Sequence, residues 1–408
     1  MTTYDSEDVQ DLLIIGGGVM GLFTAYHASA TFSRVTVLER GEIGDPTTAS
    51  FGRTRSYRKD YLDAVYARFA DDAITLWTEF ERATGRSVLV RCGCMNIAKS
   101  SVTPELDQTY AQLTTDVLAA IGMPLEVLEP GQIAERYPYL SADLAHLDPV
   151  AGLVDLAAVT ETLVATLHGR KVSVHERVST SALVRDGELW RVQTDAGEFV
   201  ARSVVITAGH GTNDVLSRIE GCTLQVPITK DRPSEAKYFV PPAEDRARYT
   251  SDVMPVIAYL DTGVYVHPIV PGVIDAVKVG YYNPPDIPRD RTGVRDIADF
   301  VEQVMPGLSS ASSSDVLDVD QCDYDLVADD DFVLGAVPGA PGVHVGVGWR
   351  GTGYKFAPWI GRVLFQLALQ GGTVYDVSRF DPDRFSAPAR FLTAGSEDHP
   401  TSDLEAVL

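Results

Sequence analysis

The sequence predicts an α/β (α+β) protein: a β-α-β domain interleaved with a second domain on a mixed or antiparallel sheet. Three observations lead there. The chain opens with an apolar strand, a glycine-rich turn, a helix and a second strand. Its middle is strand-rich. Its end returns to glycine-rich α/β sequence.

The opening is read first. Residues 11–15, DLLII, form a short apolar run suited to a buried parallel strand. GGGVMG follows, then LFTAYHASA, a proline-free stretch of helical composition, then RVTVLER as the second strand. Gly16 permits the tight turn, Gly18 lets backbone N–H groups approach a pyrophosphate, and Gly21 lets helix and strand pack closely. Glu39 closes the second strand, where a carboxylate can hydrogen-bond a ribose diol. A lone GxGxxG is weak; flanked by strand, helix and acid it predicts a Rossmann-like dinucleotide-binding unit, against the alternative of a structural glycine turn.

Residues 61–85 carry Leu62, Val65, Tyr66, Phe69, Ile74, Trp77 and Phe80 at helical spacing, and 155–170 also read as helix. Residues 178–206 read as β-hairpin material, and the strand ending in Ala208-Gly209 runs into the same crevice. Residues 215–300 alternate between Pro and Gly turns as an antiparallel sheet does. A helix returns at 358–370, and the tail after about Pro382 reads as an arm or frayed end. The predicted nucleotide-binding domain is discontinuous, 8–90, 150–215 and 322–380; the second domain takes 91–149 and 216–321, and 381–408 is tail.

The formal net charge of −23 argues against nucleic acid and anionic membrane as partners. The acidic N-terminus lacks the pattern of a secretory signal and no apolar stretch is long enough to span a bilayer, so the expectation is a cytoplasmic protein. It is expected to be a monomer or weak dimer, since no coiled-coil pattern occurs. Four cysteines, Cys92, Cys94, Cys222 and Cys322, are too few for a disulfide scaffold, and no metal site is predicted.

Three further stretches carry chemistry. TTASFGRTRSYRKDY at 47–61 packs Arg53, Arg55, Arg58 and Lys59 into an acidic chain; it is either a solvated loop or an anion site. GVGWRGTGYKFAPWIG at 346–361 sets Lys355 between two aromatics beside glycines, as a surface lysine or as part of a carboxylate clamp. Cys322, in QCDYD, could be a packing residue, a disulfide half, a metal ligand or a nucleophile; the residues alone favour a buried free thiol.

In order along the chain, GGGVMG with Glu39, FGRTRSYR, VKVGYY at 277–282, QCDYD at 321–325 and GTGYKF at 351–356 resemble the monomeric sarcosine oxidase and N-methyltryptophan oxidase family of D-amino-acid-oxidase-type flavoproteins. The resemblance spans about residues 10–375. It implies FAD lying extended on the first domain, with the second domain's sheet roofing the isoalloxazine. It implies cofactor contacts from Gly16, Gly18, Val19, Met20, Gly21, Glu39, Arg40, Ser50, Arg55, Val178, Ala208, Gly209, Gly351, Thr352, Gly353 and Lys355, and a covalent 8α bond to Cys322. Arg58 and Lys355 match the pair that holds the substrate carboxylate, and Tyr265, Tyr282 and Tyr324 match aromatic positions around the substrate. Arg55 matches an arginine by the flavin ring, and Lys278 the lysine that promotes reaction with O₂.

The activity so implied is oxidation of an amino acid or of a cyclic or secondary amine bearing a carboxylate, to an imine and hydrogen peroxide. Departures stand at Tyr282 and Thr352, where the family carries histidine, and at Ser50 and Phe51, which replace a histidine pair. They predict a substrate other than sarcosine, larger or cyclic amino acids included. The alternatives are an FAD-dependent monooxygenase, a dehydrogenase of a small biosynthetic intermediate, and a non-enzymatic flavin-binding protein. The Gly-Asp pair expected late in a monooxygenase occurs here only at Gly44-Asp45.

Overall fold

The computed structural model describes residues 8–102, 108–231, 235–281, 297–308, 312–314 and 324–386. Two eight-stranded sheets dominate them. The first has a parallel centre that runs, neighbour to neighbour, Ser173–His175, Val35–Leu38, Val9–Ile15, Gly197–Ile206 and Val343–Val347. Val9–Ile15 is apolar on both faces for a reason. Leu12 and Ile14 pack with the helices Val19–Ala28, Ala64–Thr84, Leu156–Gly169 and Ala357–Gln370, whereas Leu13 and Ile15 pack with Trp190 and Val192 on the opposite side.

The expected hairpin at 178–206 is a three-stranded meander, Thr180–Asp186, Leu189–Thr194 and Gly197–Ile206. Its last strand is shared: the first half pairs antiparallel with the meander, and the second half lies parallel to Val343–Val347. Of the predicted helix at 61–85, Leu62 precedes the start and is exposed, because Asp63 caps it by accepting the Val65 N–H; Gly85 closes it in the left-handed conformation.

The second sheet runs Ser312–Ser314, Glu235–Val240, Val277–Tyr281, Val264–His267, Val256–Tyr259, Cys94–Ala98, Leu144–Asp148 and Glu126–Leu128. It is mixed, because Val256–Tyr259 lies parallel to Cys94–Ala98, a strand from a distant segment. One face, with Val277 and Val279, buries against the helix Ile297–Val304. By alternation the other face presents Lys278, Gly280, Tyr265, His267 and Asn96.

Two small sheets join the layers: Thr54–Tyr57 with Gly152–Asp155 and Leu89–Val90, and Ile228–Asp231 with Tyr324–Val327. Packing continues past the expected start of the tail. Pro382 is buried in the short helix Pro382–Phe385, and Arg384 donates to Asp329 at 2.8 Å. Among the described residues no helix is long and apolar enough to cross a membrane.

Candidate active site

A cleft of about 820 Å³ opens where the first strand meets its glycine turn. Gly16 has φ +114°, and a β-carbon there would stand 2.4 Å from the carbonyl oxygen of Thr207. The helix Val19–Ala28 begins at Gly18 with no side-chain cap and no acid in its first turn, so its positive end is open to an anion. Ser50 Oγ accepts the Val19 N–H at 3.0 Å. Glu39 braces the turn, accepting from the N–H groups of Gly17 and Gly41 at 2.7 Å each. Gly16, Gly18, Val19, Met20, Glu39, Arg40, Ser50, Arg55, Val178, Ala208, Gly209, Gly351, Gly353 and Tyr324 all line this cleft. Gly21, Thr352 and Lys355 do not: a β-carbon on Gly21 would meet the Gly16 carbonyl oxygen, so Gly21 serves helix–strand contact.

The basic loop divides. Arg53 reaches the Val273 carbonyl at the surface, and Lys59 turns to Asp71 at 3.5 Å and Asp148 at 3.9 Å. Arg58 is buried, and its Nη1 donates to the Asp60 carboxylate at 2.8 Å and the Asp60 carbonyl at 2.6 Å. The second Asp60 oxygen accepts from Asn96 Nδ2 at 3.1 Å, tying the loop to the second sheet. Lys355 is buried nearby and donates to Thr352 Oγ1 at 2.7 Å. Its pKa lies well below the ordinary lysine value, through burial first and the Arg58 charge second. The Tyr61 ring is shared by both cations, 5.1 Å from the Arg58 guanidinium and 5.7 Å from Lys355 Nζ, while its hydroxyl meets Thr352.

On the second sheet, Lys278 is fully buried, 5.5 Å from the Tyr265 ring centroid. The hydroxyl end of the Tyr265 ring lies over Gly280 of the neighbouring strand, where any β-carbon would strike it. His267 pairs with Lys278 in register, and its Nδ1 hydrogen-bonds Thr54 Oγ1 at 2.9 Å, while Nε2 has no partner among the described residues. Burial, with the Lys278 and Arg55 charges behind it, holds that imidazole neutral. Arg55 is fastened by the carbonyls of Phe51 and Thr54 at 3.0 and 3.1 Å. Tyr324 lies against Gly351, and Tyr282 and Cys322 fall outside the described residues.

Residues 11–367 match the family model described as FAD dependent oxidoreductase. The chain belongs to that FAD-dependent oxidoreductase family. Among curated relatives, the peroxisomal sarcosine oxidase of Homo sapiens is 25% identical over 93% of this chain and 97% of its own. The monomeric sarcosine oxidase of Streptomyces avermitilis is 27% identical over 92% and 98%. Among solved structures, the L-proline dehydrogenase from P. horikoshii shares the fold at a TM-score of 0.75 and 17% identity, covering 93% of this chain and 98% of that one.

The cleft fits the cofactor of an FAD-dependent oxidoreductase. It pairs an uncapped helix end for a pyrophosphate with an acid by the sugar position, and it is large enough for a dinucleotide. Sequence reasoning missed Asp60, Tyr61, Asn96, His267 and Asp325. For Asp60 a signal was present, an acid two residues beyond Arg58 in a loop read only for its cations. Tyr61 and Asp325 likewise lie inside stretches read for other residues, whereas Asn96 and His267 come from separate strands that no local pattern marks.

Proposed function

We propose that this FAD-dependent oxidoreductase oxidises an amino or imino acid at the C–N bond, giving an imine and hydrogen peroxide. One observation carries the reading: two buried cations, Arg58 and Lys355, converge on the Tyr61 ring beside a flavin-sized cleft. Asp60 balances the Arg58 charge, and a substrate carboxylate would supply the counter-charge that favours a protonated Lys355. The sarcosine oxidases among the relatives are named for a substrate of that kind.

Arg58 and Lys355 hold the carboxylate and so orient the adjacent C–H. A bound carboxylate offsets the Arg58 charge that helps depress Lys355 and favours its protonated form. Asp60 keeps the Arg58 guanidinium in place. Tyr265 and Tyr324 wall the substrate, Tyr282 is assigned to it by the family resemblance alone, and Arg55 serves the ring end of the cleft. Lys278 presents a buried positive charge to the negative charge that develops on oxygen. FAD, when bound, takes up the hydride equivalent and passes the electrons on to O₂.

The proposal gives residues 8–90, 150–215 and 322–380 to FAD and 91–149 with 216–321 to the substrate. In support, the strands of the first large sheet all fall in the former set and those of the second in the latter. It includes covalent attachment through Cys322. That cysteine lies two residues before Tyr324, which lines the cleft. Burial makes the other thiols near the site poor nucleophiles, raising Cys92 to about 11 and Cys94 well above its usual value.

The test is a panel of primary, secondary and cyclic amino acids, scored by anaerobic bleaching of the flavin and recovery on admitting O₂. No bleaching by any carboxylate-bearing amine refutes the function. A colourless acid precipitate refutes the covalent bond alone.

A further inference from the structure

Asp325 sits in the strand Tyr324–Val327, opposite Lys230, and is almost fully buried in the wall of the cleft. Its Oδ2 accepts the Gly348 N–H at 3.0 Å and its Oδ1 the Trp349 N–H at 3.1 Å. Its own carbonyl accepts the Arg350 N–H at 3.3 Å. One residue thus binds three successive amides of the turn that leads into Gly351 and Gly353, which line the same cleft as Tyr324 and Arg55.

We propose that Asp325 is a positioning residue for the cofactor, fastening the 348–353 turn to the strand that follows Cys322 and placing one ionisable carboxyl in the wall at the Tyr324–Gly351 end of the cleft. It rests on the reading of that end as the flavin-ring end.

Flavin reduced by two electrons and one proton gains one negative charge. A fixed carboxylate in the adjoining wall opposes that gain, and a neutral carboxyl does not. Two amide donors favour the ionised form and burial opposes it more strongly, leaving the pKa raised to about 7. The charged groups around it keep partners or stand in the cleft. Arg350 pairs with Asp330 at 3.6 Å, Asp329 with Arg384 and Asp331 with Arg379, while Lys230 and His210 line the cleft. The wall charge therefore appears as pH rises through neutrality, and with it the flavin becomes harder to reduce.

The experiment compares the holoenzyme with Asp325→Asn by dye-linked redox titration at about pH 6 and about pH 8.5, either side of the carboxyl's titration. The variant's potential is expected to exceed the parent's at the higher pH and to match it at the lower. Hydrogen exchange at the Gly348 and Trp349 amides is expected to quicken in the variant. Equal potentials at both values, or a difference that ignores pH, overturns the electrostatic role. Unchanged exchange overturns the fastening. Should the asparagine variant lose flavin, Asp325→Ser is titrated under the same criteria, and exchange is read on the flavin-free chain. No substrate enters these measurements, so failure of the proposed oxidase activity leaves their outcome intact.

Discussion

The glycine-turn cleft and the buried charged residues around Arg58 and Lys278 are built from opposite materials. The cleft uses backbone: a glycine turn, an uncapped helix end and one acid that braces the turn. The charged residues use buried side chains: Arg58, Asp60, Lys355 and Lys278, collected from three distant stretches of chain. Backbone sites tolerate little change of shape, because a β-carbon in the wrong place meets a carbonyl oxygen. Charged sites depend on mutual neutralisation, because each buried ion without a partner is costly.

Gly16→Ala tests the first half of the contrast and has the largest expected effect. The added carbon meets the Thr207 carbonyl, at a φ that L-residues rarely adopt. The protein is expected to be isolated without flavin, as read from the ratio of flavin to protein absorbance; full loading would show that the turn yields. Lys278→Met tests the second half. Reoxidation by O₂ is expected to slow by about a hundredfold, with anaerobic flavin reduction spared. Equal loss in both half-reactions would make Lys278 a packing residue for Tyr265. Asp60→Asn has the smallest expected effect. Arg58 keeps a hydrogen-bond acceptor but loses its counter-charge, so the site holds more positive charge for the incoming anion, and KM for the carboxylate substrate is expected to fall about tenfold while kcat stays close to the parent's, a gain of about 1.4 kcal/mol in binding. A fall in kcat with KM constant would place Asp60 in the chemistry instead.

The same contrast explains what could be read in the sequence. Backbone sites are local, so Gly16, Gly18 and Glu39 reveal themselves within one β-α-β unit. The helix at 64–84 was legible through apolar spacing, since it buries one face, and those at 156–169 and 357–370 fall where the sequence reads as helix. Arg58 and Lys355 were reached through the family resemblance, whereas spacing alone left both open as surface charges. The contact of His267 with Thr54, and of Asp60 with Asn96, depends on how strands from different segments stack. Arg53 and Lys59 show the converse, since four neighbouring cations looked like one cluster, yet Arg53 reaches a carbonyl at the surface and Lys59 pairs with Asp71 and Asp148. The mixed second sheet is a further case: the run at 215–300 alternates like an antiparallel sheet, and its parallel neighbour comes from residues 94–98.

The shared strand Gly197–Ile206 has a consequence for how the protein is made. It pairs directly with Val9–Ile15 on one edge and with Val343–Val347, near the far end of the described chain, on the other. During synthesis the first strand leaves the ribosome early, yet the sheet gains that edge only after some three hundred further residues have followed it. The turn that completes the cofactor's wall emerges later still. Flavin loading therefore belongs to the last stage of biogenesis, and a nascent chain stalled before residue 343 would present an exposed, unpaired strand edge to the chaperones and proteases of its cell.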